Sequence, residues 1–355
     1  MAQFTHRFAF NEDVSDPING SLILDEPLPF NNKTQGSGFY RPGKISLDGG
    51  GSLDLVLYHT PATSSFIYLR NLGMDEKLME FVGLSKEDVK HVNRLQLPGQ
   101  LCLGADRTRL IGEAMSDLFS APALDPVINA SGQQKLAVFP IAREGLKYQV
   151  ADAISRNFGF YCDEIVLDAH HVFDSSVPVY NRKVEMTLFK DKDLDKQQRE
   201  NIAIAFIADS IASGLVMKEV IARVKARFEQ LERVEVIAPL ATIRGLCRIA
   251  EADNQEKAKV RVHVFETLLN ALPPDYYYSA HYNIDEFHFQ PDQEKEYRAW
   301  WGRDNAGNYV ADTACAGYGW SEVFFSPRKQ IQMMNSQLES RHNLNIAEIV
   351  RRNLK

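Results

Sequence analysis

The stretch that decides the fold is I-A-I-A-F-I-A-D-S-I-A-S-G-L-V-M-K-E-V, at residues 202–220. It opens with a short, uninterrupted apolar run, which is typical of a strand buried on both faces of a parallel sheet. A turn containing Asp209 and Gly214 follows, and a helical pattern begins at once. Strand, turn and helix in this order predict one unit of an α/β fold, in which ligands bind outside the carboxyl ends of the strands.

The same pattern recurs on both sides of this stretch. Short apolar runs rich in β-branched residues predict further strands at 135–142, 163–168, 233–240 and 260–266. Helical patterns occupy 145–157, 214–231 and 243–252. We therefore expect an α/β fold with a mostly parallel sheet flanked by helices.

The two ends of the chain carry different patterns. Strand-like runs at 21–25, 44–60 and 64–71 predict a small β-rich module, with a hairpin turn at Asp48-Gly49-Gly50-Gly51. Residues 74–95 look helical, with a capping arrangement from Ser85 to Asp88, and apolar residues recur at helical spacing near the end of the chain. We expect an N-terminal β-rich module with a helix at 1–95, an α/β domain at 96–325 and a C-terminal helical tail at 326–355.

Composition limits the class of partner. The chain has 355 residues, 45% of them hydrophobic, and a formal net charge of −7, so no uniform basic field exists to hold nucleic acid or an anionic membrane. No apolar run reaches bilayer length and the first residues lack a signal-peptide pattern, which favours a cytoplasmic protein acting on small molecules. The four cysteines are far apart and predict reduced thiols: Cys102, Cys162, Cys247 and Cys315.

The turn after residue 208 carries residue types that suit a sugar phosphate. Asp209 at the strand end can hold sugar hydroxyls, while Ser213, Gly214 and the amides that follow can surround a phosphate at the positive end of the helix dipole. The same residue types also serve as ordinary caps between a strand and a helix, so both interpretations stay open at this point.

A second strand end, V-F-P-I-A-R-E-G-L at 138–146, places Arg143 and Gly145 where another helix is predicted. An arginine at that position can neutralise a pyrophosphate through its fork of N–H donors. Pairing with a nearby carboxylate on the surface is the simpler alternative.

With these two segments the sequence resembles the uracil phosphoribosyltransferase family, of the type I phosphoribosyltransferases. F-P-I-A-R-E-G-L matches the family's pyrophosphate-binding V-P-I-L-R-A-G-L, and A-D-S-I-A-S-G-L-V matches D-P-M-L-A-T-G-G-S, which holds the ribose 5-phosphate. Ala212, Ser213 and Gly214 correspond to the family's residues. Asp209 is displaced by one place and Leu215 replaces the second glycine, so the chain is similar to a divergent member of the family.

A third segment, G-R-D-N-A-G-N at 302–308, resembles the family's G-L-G-D-A-G-D, whose backbone faces the pyrimidine base. The residues that would face the acceptor are Gly302, Asp304, Asn305, Ala306 and Gly307. Asparagine stands for aspartate at 305 and 308, and Tyr309 stands where arginine is usual, which makes uracil itself a doubtful acceptor. Between the first two segments, residues 168–174 correspond to the family's hairpin hood.

The resemblance implies an enzyme that transfers a 5-phosphoribosyl group from 5-phosphoribosyl-1-diphosphate to a pyrimidine-like base or another, unusual acceptor and releases pyrophosphate. Arg143 and Asp209 would be catalytic, and residues 212–215 with Gly145 would bind the donor. Mg²⁺ would arrive on the diphosphate of the substrate, so the protein would need no metal ligands of its own, and the expected assembly is a homodimer. The alternative, motivated by Leu215 and the displaced acid, is an inactive phosphoribosyl-binding or interaction protein that retains the fold.

Two groups of histidines stand outside this resemblance. His170 and His171 are adjacent, so in a strand they point to opposite faces and cannot easily share a metal. His281 and His288 flank Asp285 and Glu286, a set that a metal could use, although alternation in a strand explains it more simply.

Overall fold

The computed structural model describes residues 4–12, 15–30, 38–102, 104–124, 127–129, 135–142, 144–176, 182–189, 201–253, 258–268, 287–288, 291–310 and 327–354. The strands of these ranges are β1 Phe4–Glu12, β2 Ser15–Leu24, β3 Leu28–Pro29, β4 Phe39–Leu47, β5 Ser52–His59, β6 Leu69–Gly73, β7 Arg94–Pro98, β8 Leu136–Ala142, β9 Asp163–Glu164, β10 Leu167–Phe173, β11 Arg182–Phe189, β12 Ile204–Ala208, β13 Arg233–Ile237, β14 Lys259–Phe265, β15 Thr267–Leu268 and β16 Phe287–His288.

Twelve of these strands form one sheet, in the order β1-β2-β4-β5-β14-β13-β12-β8-β10-β11, with β3 paired to β4 and β9 to β8. The central strands from β5 to β10 all run parallel to their neighbours. The pairs at the two margins, from β1 to β5 and between β10 and β11, are antiparallel. The mostly parallel sheet predicted from the sequence is thus confirmed, and the carboxyl ends of its central strands meet at one edge.

Helices cover both faces of the sheet. They are α1 Pro61–Ile67, α2 Glu76–Val82, α3 Gly104–Phe119, α4 Val150–Phe158, α5 Leu215–Arg227, α6 Ile243–Ala252, α7 Pro291–Trp301, α8 Pro327–His342 and α9 Ile346–Asn353. On one face, Phe119 and Ile154 pack with Val138 and Phe206 in a buried apolar cluster. On the other face, Val220 of α5 and Leu246 of α6 belong to a second cluster that includes Val236. Burial on both faces explains why β8 and β12 read as uninterrupted apolar runs, whereas Glu235 of β13 is buried in a bond with His263 of β14.

The glycine-rich hairpin predicted near the N-terminus joins β4 to β5. Gly50 and Gly51 have φ of 97° and 99°, values that L side chains rarely adopt. The strand predicted at 64–71 is wrong for the first half of this run. That half lies in α1, and only the second half lies in β6. Thr60 and Thr63 form a reciprocal capping box with Pro61 at the first helical turn, and this local signal outweighs the apolar run.

Three predicted helices are also shorter than expected, and the one predicted at 214–231 spans only α5. Of residues 74–95, only α2 is helical; Ser85 and Asp88 do bond to each other as in a capping box, but they close a turn. Residues 145–157 divide into a 3₁₀ turn, Gly145–Tyr148, and α4, because Gln149 between them adopts a left-handed φ of 54°. The helix predicted at 243–252 has the bounds of α6.

The sheet crosses the boundary predicted between an N-terminal module and the α/β domain. β5 pairs with β14 over Asp54–Tyr58, so the first strands extend the central sheet at its margin. The division at 1–95, 96–325 and 326–355 stays a prediction. Among the helices that the structure describes, none is long and apolar enough to cross a membrane. Cys102 and Cys247 are buried reduced thiols and Cys162 is a half-buried one, whereas Cys315 lies outside the described residues.

Candidate functional site

Two carboxyl groups lie at the ends of neighbouring parallel strands. β8 pairs with β12 in a register that sets Pro140 beside Ala208. Glu144 lies in the segment that follows β8, and Asp209 is the first residue after β12. The two acids therefore project from the carboxyl edge of the sheet, the place where open α/β sheets bind ligands.

A hydroxyl network joins the two strand ends. The Tyr148 hydroxyl donates to Glu144 Oε1 at 2.7 Å and lies 2.6 Å from Ser210 Oγ. Ser210 Oγ also donates to Glu144 Oε1, at 3.2 Å, and the Ser210 amide donates to Asp209 Oδ1 at 2.9 Å. Ser210 thus bonds to both acids and fixes their relative position.

The environment of this pair favours the protonated form of both acids. Burial is the main cause that raises the pKa of Glu144, against the opposing effects of the Tyr148 and Ser210 hydroxyls and the charge of Arg107. Burial and then the negative charge of Glu144 raise the pKa of Asp209 well above its ordinary value. Burial thus makes both carboxyl groups weaker acids than they are in water.

Close packing of backbone holds the two strand ends together. A Cβ atom at Gly145 would lie 1.8 Å from the Ala208 carbonyl oxygen, so only glycine fits in the 3₁₀ turn after β8. Arg107 of α3 and Tyr148 are fully buried behind this turn. The predicted ligand residue Gly145 therefore acts in the structure as a close contact between the segments that carry Glu144 and Asp209.

The turn at 212–214 is clamped by the start of α6. Thr242, the N-cap of that helix, donates from Oγ1 to the Ala212 carbonyl at 2.6 Å, and Arg248 Nη1 donates to the Ser213 carbonyl. Gly214 has φ of 79°, and a Cβ there would lie 2.5 Å from the Gly245 carbonyl oxygen. Gly214 at the end of this turn is the N-cap of α5, so the backbone amides that follow it belong to the first turn of that helix.

Leu215, the residue that replaces a family glycine, is the first residue of α5 and is half-buried. Its amide donates to Ser213 Oγ at 3.4 Å. No side chain caps the N-terminus of α5 among the described residues, so the amides that follow Leu215 point beyond the end of the helix. Anions bind to helix ends of this kind.

The segment resembling the base-facing loop has a different internal structure. Asp304 accepts hydrogen bonds from the amides of Ala306 and Asn308, at 2.9 and 2.8 Å, and from His342 Nδ1 at 2.7 Å. These bonds, that from His342 first, hold the pKa of Asp304 well below its usual range. The Asp304 carboxylate thus bonds to backbone amides of the loop that, by the resemblance, would face an acceptor.

The position of this loop is set by the helices around it. Gly302 and Gly307 have positive φ, Asn305 and Gly307 are exposed, and the Arg303 guanidinium lies 3.5 Å from the centre of the Tyr309 ring. The recorded bonds of the loop run to α7 and to His342 of α8. Its place beside the Glu144 and Asp209 carboxyls stays a prediction.

Other predicted groups have separate surroundings. His170 and His171 are consecutive in β10, which pairs with β11 as an antiparallel hairpin. His170 lies 3.6 Å from Asp168, while burial and nearby positive charge lower the pKa of His171 to about 4. Arg143 lies outside the described residues, as do His281, Asp285 and Glu286; His288 belongs to β16.

Glu144, Tyr148 and Ser210 are the site residues that sequence reasoning did not single out. The only sequence signal for Glu144 is its place beside Arg143 and Gly145. Its bonding partner Ser210 lies 66 positions away along the chain, so the pair becomes visible only when β8 and β12 are placed side by side.

The donor set at this edge suits a hard cation. Glu144 and Asp209 supply carboxyl oxygens, the ligands that Mg²⁺ accepts, and Mg²⁺ commonly keeps waters and substrate phosphates as its other ligands. Among the described residues, no three His, Cys, Asp or Glu side chains are grouped in a way that could hold a metal ion. Any Mg²⁺ at this edge would therefore take most of its ligands from a diphosphate and water, and its binding stays a prediction.

Comparison with known proteins gives only distant likenesses. No protein-family model matches the chain, and no curated protein matches it. A solved structure of a protein from Aquifex aeolicus covers 56% of this chain and 88% of its own, at 12% identity and a TM-score of 0.35. A hypoxanthine phosphoribosyltransferase from Staphylococcus aureus covers 44% of this chain and 74% of its own, at 11% identity and a TM-score of 0.29.

Proposed function

We propose that the protein transfers a 5-phosphoribosyl group from 5-phosphoribosyl-1-diphosphate to a base-like or other nucleophilic acceptor and releases pyrophosphate. The observation that supports it is the Glu144 and Asp209 carboxyl pair on adjacent strand ends, next to the clamped turn that opens α5. The proposal assigns the ribose to the carboxyl pair and the 5-phosphate to the amides at the start of α5.

A carboxyl group at this edge is suited to a sugar with neighbouring hydroxyls. Its oxygens accept hydrogen bonds when it is ionised, and it also donates one when it is protonated, so it can bind two adjacent ribose hydroxyls at once. The Tyr148 and Ser210 hydroxyls hold Glu144 in place without using Asp209 Oδ2. Asp209 is therefore the acid that we expect to touch the donor, and Glu144 supports it from behind.

Asp209 can also assist the reaction electrostatically. The C1 carbon of the ribose becomes cation-like as the bond to pyrophosphate breaks, and the ionised form of Asp209 would stabilise that charge. When bound, Mg²⁺ would supply charge neutralisation at the diphosphate. In this proposal Arg143, two residues before Gly145, shares that role, as the sequence resemblance implies.

The test is binding and turnover by the full chain. We expect calorimetry to detect binding of 5-phosphoribosyl-1-diphosphate with Mg²⁺, and a panel of bases and nucleosides to include an acceptor that gives pyrophosphate. Asp209→Asn should abolish turnover, whereas Asp163→Asn, an exposed aspartate of β9, should leave it unchanged. A wild-type protein that neither binds the donor nor releases pyrophosphate with any acceptor would reject the proposal.

A further inference from the structure

Another carboxylate, that of Glu266, lies at the same edge of the sheet, and its residue has an unusual backbone conformation. Glu266 is the residue directly after β14, its side chain is fully buried, and its φ is 57°. A left-handed φ at a residue other than glycine stores strain, and strain of this kind is concentrated at functional sites. Burial of a carboxylate costs further free energy unless it is well bonded.

Glu266 holds a histidine in a fixed orientation. His59 Nδ1 lies 2.7 Å from Glu266 Oε2, and Thr63 Oγ1 donates to Glu266 Oε1 at 2.6 Å. The His59 ring also packs against Phe39, with 4.8 Å between ring centres. Because a carboxylate accepts, Nδ1 of His59 carries the proton and Nε2 is left as a hydrogen-bond and proton acceptor. The His59 side chain remains 13% exposed, so the ring is not sealed from solvent.

Two carboxyl groups bond to His59 and to Thr60, the residue that follows it. Burial raises the pKa of Glu266, against the bonds from His59 and Thr63. From α3, Asp117 bonds to Thr60, and burial also raises its pKa. A proton taken up by His59 would face the bonded carboxyl group of Glu266.

The sheet sets the distance between this dyad and the carboxyl pair. Ala208 of β12 is level with Ile237 of β13, which is level with His263 of β14. β12 and β14 are two strand spacings apart, about 10 Å, and Glu266 lies two residues farther along its strand direction than Asp209, about 7 Å. His59 lies level with Glu266 on β5, one strand farther from β12, so it is about 16 Å from Asp209, a span comparable with a ribose joined to an acceptor.

We infer that His59, oriented by Glu266, is the general base that takes the proton from the acceptor in the proposed transfer. This inference rests on the proposed function. The acceptor's nitrogen or oxygen forms a bond to C1 of the ribose while the bond from C1 to the diphosphate oxygen breaks, and pyrophosphate leaves with that electron pair. The proton of the acceptor moves to His59 Nε2, and the imidazolium is stabilised by Glu266 before it loses the proton to water.

The test compares turnover with donor binding in matched variants of the full chain. In His59→Asn the side-chain amide can still donate to Glu266, but Nε2 is lost. We expect kcat for pyrophosphate release to fall by about 10²–10³-fold, with the Kd for 5-phosphoribosyl-1-diphosphate and Mg²⁺ within about twofold of the wild type. Glu266→Gln is the second variant, in which a smaller loss of kcat is expected. His91→Asn, an exposed histidine in the segment after α2, is the control and should match the wild type.

A pH profile separates proton transfer from a structural role. The limb of the wild-type kcat profile that falls toward acid pH should disappear in His59→Asn, which a merely structural histidine would not cause. A wild type that turns over, with His59→Asn retaining its kcat and its acid limb, would overturn this inference and leave the proposed function in place. A wild type that neither binds the donor nor releases pyrophosphate would reject both.

Discussion

Gly214→Ala tests whether the turn that opens α5 is held against α6 as the structure shows. Gly214 has φ of 79°, and a Cβ at this position would lie 2.5 Å from the Gly245 carbonyl oxygen and 2.9 Å from the Gly245 Cα. Both contacts are with backbone, which cannot rotate away as a side chain could. An added methyl group must therefore push the turn off the first turn of α6.

Two contributions set the expected loss of stability. A left-handed φ costs an alanine about 1–2 kcal/mol, and overpacking against fixed backbone adds about 1–3 kcal/mol. Together they predict that Gly214→Ala lowers the free energy of unfolding by about 2–5 kcal/mol. Gly302→Ala is the control, since Gly302 has a similar φ of 73° but nothing within 4 Å of its Cβ position, so it should lose only about 1–2 kcal/mol.

The assay is equilibrium unfolding in guanidinium chloride, followed by circular dichroism with equal m-values required for the comparison. Donor affinity is measured in the same samples by calorimetry. We expect weaker binding only in Gly214→Ala, because that variant displaces the amides assigned to the 5-phosphate. Equal losses of stability in the two variants would refute the close contact between the turn and α6.

Further changes at the same edge have defined outcomes. Asp209→Asn should raise the thermal midpoint at pH 7. The folded-state pKa of Asp209 lies above its unfolded value, so the stability of the wild type falls as the pH rises between the two pKa values. A titration of Tm from pH 4 to 8 should therefore show a shallower decline in the variant. Tyr148→Phe removes the donor to Glu144 Oε1 and should cost about 1–3 kcal/mol in chemical denaturation; a loss below 0.5 kcal/mol would contradict that buried bond. Thr242→Val removes the cap of α6 and the bond to the Ala212 carbonyl. It should lower the free energy of unfolding by about 1–2 kcal/mol and weaken donor binding. Thr5→Val, at an exposed position of β1, is the control and should do neither.

Sequence patterns predict the centre of this fold because the physical cause is local. β8 and β12 are apolar throughout since both of their faces are covered, whereas β13 carries Glu235, to which Arg261 and His263 of β14 bond. The fully apolar runs differ plainly from the amphipathic helices between them. At 64–71 the apolar run suits a strand or a buried helix equally well. The capping box of Thr60 and Thr63, three positions apart, decides the outcome for the helix.

The candidate site could be predicted only in part. Asp209 and the turn at 212–214 follow from the rule that ligands bind at strand ends, so one segment of sequence suffices to find them. Glu144 and Glu266 depend on partners that are distant along the chain, Ser210 and His59. Their environments arise from burial and strand order, which no single stretch of sequence encodes.

Helix α3 carries residues that contribute to both acidic sites, the one at Glu144 and the one at Glu266. Arg107 in its first turns places a charge beside Glu144, and Asp117 near its end bonds to Thr60 of the second site. These two residues are about 15 Å apart along the helix axis. A ligand that displaced α3 at one site would therefore displace a residue of the other site, and any resulting change in affinity would be equal in both directions.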